Sequence, residues 1–236
     1  MKYYLCVFVL FISALEVSSQ NFKMSMEVGV GLYKLDGLKS LNEMVLEDLP
    51  YNGRQVKKFP AAFYYRPGLS YQFSKVSFGI NYSYLRAESR ISTKEEGIEY
   101  SLDMRPDTHM PALHVDALLL KMSKMEAYLR LSSGFSFSHL KIDEYYSVNE
   151  SVIIEDDLIL KSTNYFVEPS LYFTYPLKSL LLESHVGYSL SMGDNVLTDS
   201  SGGIELTNPI NGNPITPDWS GLRIGIGIAY TFAKSK

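Results

Sequence analysis

The strongest constraint on the fold is a two-residue alternation of side-chain character that recurs eight times along the chain. In the clearest segment, 222–232, apolar or aromatic residues occupy every second position, and Arg, Gly, Ala or Thr stand between them. Successive side chains of a β-strand point to opposite faces, so each such segment predicts a strand with one apolar and one polar face. The other seven segments are 22–33, 61–73, 76–84, 113–120, 126–138, 165–175 and 180–191.

The connections between these segments alternate between long and short. They are 34–60, 85–112, 139–163 and 194–220 for the long set, and 74–75, 121–125 and 176–179 for the short set. A soluble sandwich has no reason to follow this rhythm, whereas outer-membrane barrels combine short periplasmic turns with longer external loops. Lipid cannot hydrogen-bond a free sheet edge, so a sheet in a membrane must close. We therefore predict an all-β fold, a closed eight-stranded antiparallel transmembrane β-barrel with short periplasmic turns and long extracellular loops.

The first 19 residues have the pattern of a secretory signal peptide. Lys2 supplies a positive start, and the apolar run from Tyr3 to Ile12 is shorter than the roughly 20 residues of a spanning helix. We expect cleavage after Ser19, so that 20–236 form the barrel domain. The single cysteine, Cys6, precedes most of the apolar run, so we expect neither a lipid anchor nor disulfides.

The last strand carries a family resemblance. Its sequence, GLRIGIGIAYTF, ends with Tyr230 and Phe232 on the apolar face, and a short tail follows. This resembles the C-terminal signal that the barrel assembly machinery recognises, and the chain as a whole resembles the small Bacteroidota outer-membrane barrels called porin-family or PorT-like, with OmpX/OmpA-type architecture. The resemblance implies an outer-membrane location with both mature termini periplasmic, and contact with outer-membrane lipid and lipopolysaccharide. Because such folds host many functions, it implies no particular activity.

The polar faces of the predicted strands supply nine candidate interior residues that are charged or are histidine. They are Glu27, Arg66, His114, Asp116, Arg130, Glu168, Glu183, His185 and Arg223. The interior of an eight-stranded barrel is just wide enough for side chains to fill, so buried charges there need partners. Four carboxylates and three arginines predict a network of salt bridges that braces the interior. A gated proton or ion path is the alternative interpretation.

Two irregularities interrupt the pattern. Leu118, Leu120 and Leu181 fall on the inward face near the periplasmic end, which predicts an apolar plug there if the register is right. Pro67 and Pro169 lie inside strands although proline cannot donate to a ladder, so we expect a bulge or kink at each.

The long connections contain weaker patterns. Residues 37–49 have helical spacing, 91–104 resemble a hairpin turning near Gly97, and 145–160 alternate weakly, as in extended strands. The last connection, 194–217, is rich in Gly, Asn and Pro and should be irregular.

Charge and motifs narrow the function. The formal charge of −4 is scattered, with no basic stripe, so nucleic acid is not an expected partner. We find no nucleophile elbow and no metal-ligand cluster in sequence, and therefore expect no catalytic residues, no cofactor and no metal. We expect a non-enzymatic barrel whose external loops or rim contact a partner, as a subunit of an outer-membrane complex or as an adhesion factor. A narrow porin-like channel or transporter is the alternative, and a lipid-modifying enzyme the third interpretation.

Overall fold

The computed structural model describes residues 22–49, 54–57, 59, 61–95, 97–178, 180–193, 195–199, 203, 205–208 and 212–232. The predicted signal peptide 1–19, the expected first mature residue Gln20 and the tail 233–236 lie outside these residues. Within them the elements are β1 (Phe22–Tyr33), α1 (Asp36–Asp48), β2 (Arg54–Lys57), β3 (Ala62–Phe73), β4 (Val76–Arg86), β5 (Ser89–Glu95), β6 (Ile98–Lys121), β7 (Glu126–Val148), β8 (Ser151–Leu177), β9 (Leu180–Met192) and β10 (Gly221–Thr231).

Eight of these strands close into an antiparallel ring. The order is β1, β3, β4, β6, β7, β8, β9 and β10, and β10 pairs again with β1. Short turns join β3 to β4, β6 to β7 and β8 to β9 at one end, which we call the turn end, and long connections lie at the other, the loop end. Closure leaves no free edge in the ring. The predicted closed eight-stranded antiparallel β-barrel is therefore confirmed.

The ring has an apolar outside and a polar inside. On β10 the outward Ile224, Ile226 and Ile228 are 50%, 62% and 56% exposed, whereas the inward Arg223 is completely buried. This distribution is the reverse of that of a water-soluble protein, in which charged residues are almost never fully buried unless paired. The period-2 pattern produces it directly, because alternate side chains leave the sheet on opposite faces.

Three ring strands continue past the loop end as a sheet that we call the extension. β6, β7 and β8 are 24, 23 and 27 residues long, far longer than predicted from sequence. The extension comprises 98–106 of β6, 140–148 of β7 and 151–160 of β8. Two further strands belong to it: β5 pairs with β6, and β2 pairs with β5. The hairpin predicted over 91–104 is present with Gly97 at φ 77°, and the strand pairing predicted over 145–160 is present too.

A hydrophobic cluster fills the loop end. α1, which confirms the helix predicted over 37–49, contributes the fully buried Leu38. The cluster joins side chains from the extension to inward side chains of the ring, including Leu35, Ile91, Met104, Met110, Leu140, Leu160, Leu197, Ile215, Phe166 and Trp219. We call this cluster the cap, because it covers the loop end of the lumen.

The remaining long connection is irregular in its described part, as predicted. Between β9 and β10 these residues form isolated bridges such as Thr207 with Pro214 rather than strands. Among the described residues, no helix combines the length and the apolar character needed to cross a membrane.

The apolar plug predicted at the turn end from Leu118, Leu120 and Leu181 is wrong for Leu120, which lies on the outer face. The β6–β7 register shifts between Leu118 and Leu120, so the alternation inverts there. Leu120 is consequently 53% exposed, and Leu118 and Leu181 are only partly buried. The bulge is the physical reason: one extra residue moves the side chains that follow to the other face.

Of the bulge or kink predicted at Pro67 and Pro169, the bulge is absent at both positions. Near Pro67 the β3–β4 pairing stops at Tyr65–Tyr84 and resumes at Gly68–Asn81 in the same register. The β8–β9 ladder has the same gap around Pro169, and the β6–β7 ladder has one around Pro111. A proline removes a ladder hydrogen bond because it has no N–H. Here the sheet tolerates that loss as a local gap, without an inserted residue.

Candidate functional site

The structure places all nine sequence-selected interior residues inside the ring. Each is at most 4% exposed. They come from seven of the eight ring strands, and the alternation of each strand aims its side chain at the axis. Inward glycines make room for them. A Cβ at Gly225 would collide with the Tyr64 hydroxyl and lie 2.8 Å from Cε1 of His185.

Glu168 lies at the centre of this interior. Arg66 donates from Nη2 to both of its carboxylate oxygens, at 2.8 and 2.9 Å, and Arg223 donates from Nη1 to Oε2 at 2.7 Å. Glu168 and Arg223 are completely buried, and Arg66 is 3% exposed. One carboxylate therefore holds two guanidinium groups away from water.

A second carboxylate is connected to the first through Tyr172. Arg66 donates to the Tyr172 hydroxyl at 3.0 Å, and this hydroxyl donates to Oε2 of Glu27 at 2.9 Å. His185 Nδ1 lies 3.1 Å from the same oxygen, and its Nε2 is hydrogen-bonded to the Tyr64 hydroxyl at 3.2 Å. The two tyrosines were missed as members of the network, because their hydroxyls are polar only at the tip of an apolar ring.

Asp116 and Arg130 form a further pair closer to the turn end. Arg130 donates to the two oxygens of Asp116 at 2.5 and 2.9 Å, and Ser77 donates to one of them at 2.8 Å. The guanidinium of Arg130 also stacks 3.8 Å from the centre of the Tyr172 ring, which joins this pair to the central cluster. His114 lies alongside, with Nε2 4.0 Å from Asp116.

Lys23 is the interior cation that sequence reasoning left out. Its Nζ lies 2.8 Å from Glu183 Oε1, and its side chain is 16% exposed. Its place on the polar face of the first strand was a usable signal. With Lys23 included, the four interior carboxylates face four permanent cations: Arg66, Arg130, Arg223 and Lys23.

This arrangement can brace a barrel better than it can conduct. Each of the four carboxylates has a cation within 4 Å, Glu27 through Arg66 at 3.7 Å. Releasing one of them for proton or ion transfer would leave a buried cation unpaired, which is costly. Several buried polar atoms, such as Glu27 Oε1 and Arg223 Nε, have no hydrogen-bond partner among the described protein atoms.

A second cluster lies on the outer face, where the ring meets the extension. Asp107 and His109 lie two residues apart on β6, and His139 on β7 pairs directly with Asp107. One ligand atom from each lies within 4.8 Å of the others. The sequence alone predicts no such cluster, because residues 107, 109 and 139 fall at loop or strand-end positions, where alternation gives no register between strands. Ser138 and His139 point to opposite faces, as alternation requires: Ser138 is buried, and the side chain of His139 is 38% exposed.

Tyr230 and Phe232 lie at the turn end of β10. Both are outward, at 38% and 40% exposure, with their rings in edge contact at 5.1 Å between centroids. Their role as an assembly signal stays a prediction.

No family model matches the chain, and no curated protein is significantly similar to it in sequence. Solved structures of similar shape include those of outer-membrane β-barrel proteins. Neisserial surface protein A is 10% identical with a TM-score of 0.43, over 91% of this chain and 98% of that one. A major outer membrane protein from Thermus thermophilus is 14% identical with a TM-score of 0.48, over 89% and 98%. Ail, the attachment invasion locus protein of Yersinia pestis, in complex with the heparin analogue sucrose octasulfate, is 12% identical with a TM-score of 0.37, over 89% and 98%. Likeness of this degree identifies no function for the chain.

Proposed function

We propose that this protein is a non-enzymatic outer-membrane β-barrel without an open channel, and that it binds a polypeptide partner at the free edge of its extension. The observation that carries the binding function is the exposed edge of β8, beside which no described strand is paired.

The outer surface of the ring has the chemistry and height of a lipid-facing belt. The outward apolar series on β10 runs from Leu222 to Phe232. Ten steps at ~3.3 Å give about 33 Å along the strand. At a tilt of about 40° this is roughly 25 Å of height, the value typical of outer-membrane barrels. Membrane lipid is therefore the proposed environment of the belt, and the barrel assembly machinery the proposed route into it.

Aromatic side chains mark the loop-end border of this belt. Tyr65 and Tyr84 pack at 5.4 Å between ring centroids, and Phe135 packs on Tyr165 at 4.9 Å. Outer-membrane barrels have girdles of aromatic residues where the lipid meets water. Beyond this level the outward side chains of β6 become polar, beginning with His109 and Asp107. We infer that the extension stands outside the membrane on the lipopolysaccharide side.

The lumen is filled rather than open. The interior charges are buried and paired, and the cap covers the loop end with fully buried side chains such as Trp219. Trp219 is fixed by its Nε1 hydrogen bond to Ser138 at 3.0 Å and by edge contact with Tyr33. A narrow channel is supported only by the polarity of the interior. Planar-bilayer recordings of the purified barrel should therefore show no conductance steps, either with Arg223 intact or in Arg223→Met; steps altered by that substitution would favour the channel.

The free edge of β8 is the feature best suited to binding. From Ser151 to Leu160 this strand pairs with β7 on one side, whereas its pairing with β9 begins only at Tyr165. None of the described strands occupies the other side over this stretch. An open edge of this length is a template for an added strand, and natural proteins usually shorten or cover such edges. A protein that keeps one exposed has a surface suited to β-strand addition.

The side chains of this edge indicate the chemistry of the partner. Val152, Ile153 and Ile154 are 52%, 59% and 39% exposed at the tip of the β7–β8 hairpin. The acidic run 155–157 follows directly, and it is exposed as well. An added strand would pair through its backbone, cover the apolar triplet and favour basic residues opposite the acidic run. We therefore propose as partner an extended protein segment with both apolar and basic residues, from another outer-membrane protein or a neighbouring cell surface.

Photo-crosslinking in cells tests this proposal. A photoreactive phenylalanine derivative at position 153 should give a discrete, heavier protein adduct in isolated outer membranes. Asp156→Lys combined with Asp157→Lys should abolish it, because the acidic run would then repel a basic partner. The same derivative at Leu113, which is 69% exposed within the apolar belt, is the matched control and should give no protein adduct. Absence of an adduct from position 153, or the same adduct from both positions, would contradict the proposal.

A further inference from the structure

We propose that Asp107, His109 and His139 bind a divalent transition-metal ion of the zinc class on the outer face of the barrel, at the junction between ring and extension.

The sheet itself assembles the three ligands. Asp107 and His109 are two residues apart on β6, so they leave the same face of the strand. His139 is the direct cross-strand neighbour of Asp107. Directly opposed residues have Cβ atoms about 4.5–5.5 Å apart, and diagonal neighbours remain within reach of long side chains. The ligand set therefore depends on two paired strands of the barrel wall rather than on a loop.

The distances already approach those of a metal site. Asp107 Oδ1 lies 3.3 Å from His139 Nδ1 and 3.8 Å from His109 Nε2. Metal–ligand bonds of about 2.1 Å at tetrahedral angles place neighbouring ligand atoms ~3.4 Å apart. One ligand atom of each residue lies within 4.8 Å of the other two. Small rotations of exposed side chains are enough to enclose an ion.

The donor types select the class of metal. Two imidazoles and one carboxylate suit Zn²⁺, Ni²⁺ or Cu²⁺, whereas Mg²⁺ and Ca²⁺ prefer a shell of oxygen ligands. Three protein ligands leave at least one coordination position, and the partial exposure of all three side chains directs it toward solvent.

Tyr82 supplies an orienting contact. Its hydroxyl is hydrogen-bonded to Nδ1 of His109. In the tautomer that carries the proton on Nδ1, that N–H donates to the hydroxyl oxygen and leaves the Nε2 lone pair directed at Asp107. Histidines that bind metals generally have their second ring nitrogen engaged in this way. Tyr84 packs against the same imidazole, at 5.0 Å between ring centroids.

Nearby cations affect the expected affinity of the site for a metal ion. Arg105 is held by Asp143 at 3.2 Å, and Lys141 by the other oxygen of that carboxylate at 2.7 Å, so both already have an ion-pair partner. Two exposed cations lie opposite the ligands and oppose an incoming ion: Arg86 of β4 is paired with Asp107, and Lys161 of β8 is paired with His139. Removing one of these charges in Lys161→Met should therefore tighten binding.

Titration calorimetry with zinc chloride on the full-length barrel, refolded in detergent and free of a histidine tag, tests the site. The wild-type protein should bind one equivalent, and His109→Gln with His139→Gln should remove the binding. Tyr82→Phe should weaken it by about tenfold, the lower end of the effect of outer-shell partners. Glu95→Gln, which changes an exposed carboxylate on β5, is the control and should bind as wild type does. The heat-dependent shift in gel mobility of folded barrels reports whether each variant folds. No zinc binding by the wild type, or equal binding by the folded double variant, overturns the proposal.

Discussion

Glu168→Gln is the substitution that most directly tests how the interior holds the barrel. Glutamine retains the size and part of the hydrogen-bonding capacity of glutamate but removes the negative charge. In the native barrel that charge serves both Arg66 and Arg223, at 2.8 and 2.7 Å. The variant therefore leaves two buried guanidinium groups sharing a neutral amide.

The two arginines keep different numbers of other partners when the charge of Glu168 is removed. Arg66 keeps hydrogen bonds to Ser83 and Tyr172, and Glu27 lies 3.7 Å away. Arg223 has a contact with the Met110 sulfur at 3.0 Å, which is only a weak acceptor. Breaking a buried ion pair by removing one partner typically costs about 3–5 kcal/mol. Because Glu168→Gln leaves Arg223 buried without a carboxylate partner, we expect a loss in this range.

Equilibrium unfolding by urea in detergent or vesicles measures the loss. A matched control is Glu99→Gln in the extension, where Lys94 and Glu99 are 3.1 Å apart but have side-chain exposures of 76% and 47%. An exposed pair of this kind contributes about 0–1 kcal/mol. If Glu168→Gln lowers the free energy of unfolding no more than Glu99→Gln does, the argument for charge pairing inside the ring is refuted. Arg223→Met in the Glu168→Gln background should recover part of the loss, since it removes the unpaired cation.

Three further outcomes follow from other parts of the molecule. Ile226→Lys, near the middle of the belt, should lower the free energy of unfolding in lipid vesicles by about 2–4 kcal/mol. The control Ile159→Lys, in the extension, should lower it by less than about 0.5 kcal/mol. Equal losses in the two variants would contradict the lipid-facing belt. The hydrogen bond from Arg90 holds the pKa of Asp103 below its ordinary value. The ionised carboxylate therefore stabilises the extension at pH values above its unfolded pKa of about 3.9, and this stabilisation is lost as the pH falls through the lower folded pKa. Hydrogen exchange between pH 6 and pH 3 should show faster opening of the extension in acid, with a smaller pH effect in Asp103→Asn. Leu38→Ala should weaken the cap by about 2–5 kcal/mol, seen as faster cleavage of α1 by protease while the ring keeps its folded gel mobility; unchanged cleavage would show that the cap does not depend on this side chain.

The ring and its interior could be predicted from sequence because both depend on alternation within a single strand. The inward position of Arg223 follows from its neighbours Leu222 and Ile224, and no knowledge of the partner strand is required. The cation–carboxylate partnerships could not be read in the same way, since Arg66 and Glu168 meet across the lumen from β3 and β8. Lys23 illustrates the same limit: its inward position was visible in sequence, whereas its partner on β9 was not.

The extension and the outer His–Asp cluster needed information that alternation does not contain. In β8 the acidic run 155–157 is exposed whichever face each residue takes, so the two-residue pattern fades although the strand continues. The cluster requires the β6–β7 register that sets Asp107 opposite His139. At Leu120, a single inserted residue reversed the face. The extension, the His–Asp cluster and the outward face of Leu120 all depend on the pairing between strands, which is a property of the assembled sheet.

The three gaps left by Pro67, Pro111 and Pro169 share a location in the connectivity of the ring. Each lies within a pair of strands joined by a short turn, whereas the ladders that join successive hairpins and close the ring are continuous along its wall. Two strands tethered by a few residues reunite at little entropic cost, because loop-closure cost rises with the length of the loop. Strands joined by long connections, or through the two ends of the chain, have no such tether and keep an unbroken ladder. β7 and β8, whose hairpin closes in a two-residue turn beyond the ring, are also paired without a gap along the wall. The short turns thus tether the three strand pairs whose ladders are interrupted at prolines. We therefore expect two such strands that separate at a proline to pair again in their original register.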